Sequence, residues 1–273
     1  MIDETLEPST SEHNVTPSSP RTLARDHFQQ AQQLEQSGNW SGAIASYTQA
    51  IRLQPDYAEA YHNRGRSFAD FGYYAEALND YTEALRLNAS DTSQAKLYND
   101  RGHLYLNQLQ LDQAVLSLDT PNSDRETLRE EILEMAISDF SQALCLLSVT
   151  RDRAEASFYR GFAYYKLGEY SKALEDFQTV IQVHEEALAS QGSPCLWAAQ
   201  AQYLRGVVHY CLEAYPAAIE SLTQAIQTHV SHPEDYLLTE RVLEKAYVLR
   251  DVAANRAFYS LPEESRVAWN PEF

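Results

Sequence analysis

An all-α array of repeated helix pairs is the fold this sequence predicts, and three observations carry the prediction. Glycine and proline are sparse, nine and ten in 273 residues, too few for the many turns of a sandwich or barrel. Hydrophobic residues make up 44% of the chain, enough to bury a core and too many for a disordered acidic chain. The chain also repeats itself. NRGRSFADFGYYAEALNDYTEALRLN from Asn63 and YRGFAYYKLGEYSKALEDFQTVIQ from Tyr159 share an Arg-Gly pair, a second glycine, a tyrosine, an alanine and an Asp-aromatic pair at the same offsets, the mark of a repeat architecture.

These offsets resemble the tetratricopeptide repeat, a 34-residue helix–turn–helix unit. Its pattern has a small residue midway along helix A, Gly-x-Tyr at the turn, then a small residue and an aromatic in helix B. The first copy, 24–57, has Ala31, Gly38, Trp40, Ala43, Tyr47, Ala50 and Pro55 at these places. The second, 58–91, has Gly65, Gly72, Tyr74, Ala77, Tyr81 and Ala84, and ends in Ala89 where proline is usual. The fourth, 154–187, has Gly161, Gly168, Tyr170, Ala173 and Phe177, with Val180 replacing alanine. The fifth, 199–232, has Gly206, Tyr215, Ala218, Leu222 and Ala225, with Glu213 in place of the turn glycine. Small residues recur because paired helices approach closely only where bulk is absent. The resemblance implies a right-handed superhelix (α-solenoid) of five repeats.

The third copy, about 95–150, is irregular. NDRGHLYLNQ supplies its helix A with Arg101, Gly102 and Tyr105, but the matching helix-B alanine, Ala136, lies 34 positions after Gly102 instead of 12. An insertion over 111–134 is therefore expected. It begins with LDQAVLSL, a short amphipathic helix, breaks at Asp119-Thr120-Pro121-Asn122, and resumes as a long helix capped by Ser123 or Asp124,. Leu128, Ile132 and Met135 share a face of that helix, with Leu111, Val115 and Leu118 to cover it. The result is a helical hairpin projecting from one edge.

The second helix of copy four is expected to pass His184 and break at Gln191-Gly192, with the next helix starting at Ser193 and Pro194. After copy five, Leu238, Val242, Ala246, Leu249, Ala253 and Ala257 recur every three or four residues, a stripe that reads as a capping helix over about 234–259. One repeat domain over 20–260 results. It is flanked by a disordered tail, 1–19, rich in acid, serine and proline, and by an irregular tail, 261–273.

Formal charge is −18, from 21 basic and 39 acidic residues. Nucleic-acid backbone and anionic membrane are excluded as partners, because phosphates are repelled. The first twenty residues hold four acids, no Lys or Arg and no apolar core, so they read as neither signal nor transit peptide. No apolar run reaches the ~18 residues of a membrane span. Cys145, Cys195 and Cys211 make no complete disulfide framework, which suits reduced thiols and a cytoplasmic location. His229 and His232 form an HxxH without further converging ligands, so neither a metal nor a cofactor is expected. No phosphate-cradling loop, nucleophile elbow or activated cysteine occurs, and the chain is read as no enzyme.

Arg64, Arg101, Arg160 and Arg205 occupy one repeat position, and Asp80, Asp139 and Asp176 another. Recurrence across copies marks structural pairing, since a functional arginine would occur once. Function then rests on the helix-A face, which the resemblance makes concave. In copies one to three its positions are polar: Gln29, Gln32, His62, Asn63, Arg66, Asn99, Asp100, His103 and Asn107. In copies four and five they become Phe158, Tyr159, Phe162, Tyr165, Lys166, Tyr203, Val207 and Tyr210. An aromatic patch of that size marks an interaction surface, unless the groove is filled by the chain itself.

One role associated with the resemblance fails on its residues. The clamp for the C-terminal Glu-Glu-Val-Asp of heat-shock proteins needs Lys and Asn in copy one, Asn in copy two, and Lys and Arg in copy three. Here those places hold Phe28, Gln32, Asn63, Lys96 and Asp100, and Asp100 would repel the carboxylate. The reading is a non-enzymatic adaptor or assembly factor holding a protein or peptide in its groove, with a self-associating structural protein or a regulatory subunit as the alternative.

Overall fold

A computed structural model of the chain describes residues 19–87, 91–115, 122–147, 150–190, 195–231 and 240–260. Among these residues all regular structure is helical, and no helix is long and apolar enough to cross a membrane. The expectations for 1–18, Ala89, Leu118, Gln191-Gly192, Ser193-Pro194, His232, Leu238 and 261–273 lie outside the described residues. The chain divides into two compact units, Met1–Leu87 and Asn88–Phe273.

The first unit holds α1 (Pro20–Gln36), α2 (Trp40–Leu53), α3 (Ala58–Asp70) and α4 (Tyr74–Arg86). Ser19 starts α1 by accepting from the Thr22 N–H at 3.2 Å, with Pro20 in the first turn, where its missing N–H costs nothing. Asn39 caps α2 through the Gly42 N–H at 3.0 Å. Each pair closes on a glycine with positive φ, Gly38 at 76° and Gly72 at 86°, a conformation that a side chain would strain. Phe28, Ala31, Ala43, Tyr47, Ala50, Ile51 and Ala60 form one core cluster.

The second unit holds α5 (Asp91–Val115), α6 (Asn122–Leu146), α7 (Thr150–Leu167), α8 (Tyr170–Ala189), α9 (Ala198–Cys211), α10 (Tyr215–Ser231) and α11 (Glu240–Ser260). Each helix packs on the next in chain order, as a helical repeat solenoid requires. The contact that sets the spacing within a pair is the helix-A glycine. A Cβ on Gly161 would lie 2.9 Å from the Asp176 Cβ and 3.0 Å from the Phe177 ring; one on Gly206 would lie 2.6 Å from Leu222.

Several local expectations change. LDQAV is no separate helix: α5 continues through it to Val115, and α6 begins at Asn122, so Ser123 and Asp124 lie inside the helix instead of capping it. Along α6 the structure buries Ile132 and Leu133 but leaves Leu128 and Met135 exposed. The predicted stripe, at steps of four and three residues, follows one edge, whereas the buried face is centred on Ile132, Leu133 and Ala136. Helix α9 starts at Ala198, with Trp197 as its N-cap, four residues beyond Pro194. The His184 imidazole instead accepts the Cys195 N–H at 3.2 Å, tying down the chain as it enters α9. Ala246, Ala253 and Ala257 of α11 are buried, with Ala246 packed beside Leu222 and Ile226 of α10.

Candidate functional site

The arginine positions are structural. Arg64 holds Asp80 with two hydrogen bonds of 2.8 and 2.7 Å, Arg101 holds Asp139 at 2.7 and 2.7 Å, and Arg160 holds Asp176 at 2.9 and 2.7 Å. Bidentate forks of this kind are strong and directional. Burial pushes all three carboxyls upward, against the opposing pull of the paired guanidinium. The free end of the guanidinium reaches the preceding helix pair: Arg64 donates to Thr48 at 3.1 Å, and Arg160 to Ser141 at 3.2 Å. Arg205 has no aspartate. It donates to Ser221, Gln224 and Gln178 at 3.1, 2.8 and 2.8 Å, and burial lowers its pKa.

In the first unit the polar residues of α3 join an internal network. Glu35 accepts from the Tyr47 hydroxyl at 3.0 Å and the Ser67 hydroxyl at 3.3 Å, and lies 3.6 Å from Arg66. Burial, then the Glu35 charge, raise the Tyr47 pKa, while a hydrogen bond with Asn63 lowers it. His62 stands edge-on to Tyr81 at 5.9 Å. Asn63 and Arg66 are thus partly committed to their own unit, and Phe28 is buried in its core.

In the second unit α7 and α9 form a cavity of about 640 Å³. Phe158, Tyr159 and Phe162 line it from α7; Gln200, Tyr203 and Leu204 line it from α9. Trp197, at the start of α9, and Val242, at the start of α11, complete the wall. Trp197 stacks on Phe158 at 5.1 Å and meets Tyr159 edge-on at 4.9 Å, offset geometries that aromatic rings favour. Phe158 is only 5% exposed and belongs to the core beneath. Burial raises the phenol pKa of Tyr159 and Tyr203, so both are hydrogen-bond donors at neutral pH.

His103 of α5 stands edge-on to Tyr159, with ring centres 3.9 Å apart. Its Nε2 is 3.4 Å from Glu155 of α7 without forming a hydrogen bond, and the Asn99 Oδ1 one turn earlier is also buried without one. Both atoms are enclosed as well as unpaired, which costs stability instead of offering a contact at the surface.

Tyr165, Val207 and Tyr210 are half-buried and do not line the cavity: Tyr165 packs toward Tyr170 at 6.4 Å, and Tyr210 toward Tyr215 at 5.7 Å. The structure gathers Phe158, Tyr159, Phe162 and Tyr203 as the sequence pattern suggests, and adds Trp197, Gln200, Leu204 and Val242. The expected start of α9 at Pro194 hid Trp197, whose signal is a large aromatic immediately before a repeat helix. Among the described residues no cluster of three or more His, Cys, Asp or Glu side chains is arranged to hold a metal.

Comparison with known proteins places these features. Family models described as TPR repeat and tetratricopeptide repeat match residues 31–72, 58–91 and 154–186. Human tetratricopeptide repeat protein 13 is 26% identical over 140 residues, which cover 51% of this chain and 13% of that protein. The chain spans well under half the length of the curated relatives it matches. Among solved structures, MamA superposes with a TM-score of 0.59 at 18% identity, covering 80% of this chain and 97% of that one. YrrB, described as a TPR protein with an unusual peptide-binding site, superposes at 0.58 with 21% identity over 78% of this chain and 89% of its own. At these identities the superpositions speak to the fold.

Proposed function

Since the chain is a tetratricopeptide-repeat protein, we propose that it is a non-catalytic adaptor that takes a peptide, helix or protein surface onto the helix-A face of its second unit. The observation that carries the reading is the aromatic cavity between α7 and α9. A space of about 640 Å³ falls in the range of ligand pockets. Its tyrosines and tryptophan are side chains that bury much area at low entropic cost. Gln200 and Tyr203 supply hydrogen-bonding groups in its wall, His103 backs Tyr159, and Asn99 lies one turn before His103; His62, Asn63 and Arg66 form a separate polar set in the first unit. The fold shared with YrrB, whose description includes a peptide-binding site, supports the same class of ligand.

The test is capture of partners from native lysate by the full chain, against Trp197→Ala/Tyr203→Ala. The double variant is expected to keep its helicity by circular dichroism and to lose the captured proteins about tenfold or more, as truncated hot spots do. Unchanged capture would move the site elsewhere.

Self-association is the second reading, favoured by the outer face of α11. Val248 and Tyr259 are 64% and 67% exposed, and Val252 lies between them. Facing α11 of a second copy in parallel, this seam would put Asp251 of one copy beside Arg256 of the other, the five-residue offset of parallel coiled-coil pairs. Light scattering should then show a dimer that Val248→Lys dissolves; a monomer at micromolar concentration eliminates this reading.

A further inference from the structure

The charges flanking the aromatic cavity specify the ligand more narrowly than its apolar walls, and what they specify rests on the reading above. Along α7, Glu155, Tyr159, Phe162 and Lys166 follow at steps of four, three and four residues, which places them on one helix face. The two middle residues line the cavity, so an anion and a cation stand at opposite ends of it. Eleven residues of helix rise about 16 Å, the length of about five residues of extended peptide.

Lys166 is the unusual member. Its Nζ lies 5.1 Å from the Phe162 ring and 5.6 Å from the Tyr165 ring, and no carboxylate among the described residues is ion-paired with it. Lys166 itself is exposed; partial desolvation beside these rings, and next the like charge of Arg129, lower its pKa. In a chain of net charge −18, where three repeat arginines are each locked to an aspartate, this cation stands beside an apolar cavity with no ion pair among the described residues. At the other end the Glu155 side chain is 37% exposed and lies 3.4 Å from the His103 ring.

We infer that the ligand is a peptide segment with an apolar anchor in the cavity, an acidic side chain on the Lys166 side and a basic side chain on the Glu155 side, the two charges four to five residues apart. The anchor supplies affinity through burial. The rim charges select the sequence and fix its direction, which is what partly exposed complementary charges do best.

A library of random dodecapeptides displayed on phage and selected on the full chain tests this. Enriched peptides are expected to carry acid and base on opposite sides of an aromatic or branched aliphatic residue. A synthetic winner should weaken about tenfold when its two charges are exchanged, measured by calorimetry. Lys166→Glu should weaken the original about tenfold and restore binding when the peptide's acid is changed to lysine; Lys166→Met, which keeps the apolar stem, should bind with the acid preference gone. Winners that depend on Tyr203 yet ignore charge order would overturn this inference and leave the cavity reading intact. Winners indifferent to Trp197→Ala/Tyr203→Ala, or no winners at all, would overturn both.

Discussion

The helix pairs α7/α8 and α9/α10 share a plan and depart from each other at two positions. Both are spaced by a helix-A glycine, Gly161 or Gly206, under a large helix-B side chain. In the first, Arg160 meets Asp176 in a two-point fork and the turn passes through Gly168 at φ 79°. In the second, the place of Asp176 is taken by Ser221, and the turn passes through Glu213 at φ 59°. The apolar plan therefore survives without the ion pair and without the turn glycine. Arg205 keeps three hydrogen bonds, all to neutral groups, and the carboxylates that act on its charge, Glu220 and Glu185, form no direct ion pair with it among the described residues. What the difference teaches is that close packing defines the pair, while the fork and the turn set how firmly it is held.

The largest expected effect comes from breaking the intact fork. Asp176→Ala strands the half-buried Arg160 guanidinium and should cost about 3 kcal/mol in urea denaturation. Arg205→Met removes a charge that has no direct ion pair among the described residues and should cost about 1 kcal/mol or less. Equal costs would show that the aspartate adds nothing, and the distinction between the pairs would collapse. Smaller gains should follow from giving α9/α10 the features it lacks. Ser221→Asp places a carboxylate opposite Arg205, and Glu213→Gly relieves a left-handed residue; each should add about 1 kcal/mol to stability. A loss on Glu213→Gly would mean that the turn is held by its side chain.

Most of the framework was legible in the residues, because its determinants are local and recurrent. The Arg-Gly doublet, the turn glycine and the Asp-aromatic doublet sit at constant offsets, so the residues alone mark out the helix pairs. The stretched spacing from Gly102 to Ala136 located the long α5/α6 pair, though not the continuity of α5, since nothing in NQLQLDQAV distinguishes one helix from two. The start of α9 was misplaced because Ser193-Pro194 carries the chemistry of a helix start. What overrode it lies outside that motif: His184 of α8 binds the Cys195 backbone and delays the helix to Ala198. Half of the cavity wall was readable as the aromatic face of α7 and α9. Trp197, Leu204 and Val242 were not, because they reach the cavity through packing between helices, which repeat offsets do not encode.

The position of Trp197 has a practical consequence. Of the three tryptophans in the chain, this one forms part of the cavity wall, 4.9 Å from the Tyr159 ring, while Trp40 opens α2 in the other unit. Whatever enters the cavity displaces water from an indole, and indole emission shifts in colour and yield when its surroundings dry. The protein thus carries an optical probe at the place of interest, and Trp197→Phe provides the matched blank. Ligand titrations can be read from the unlabelled chain.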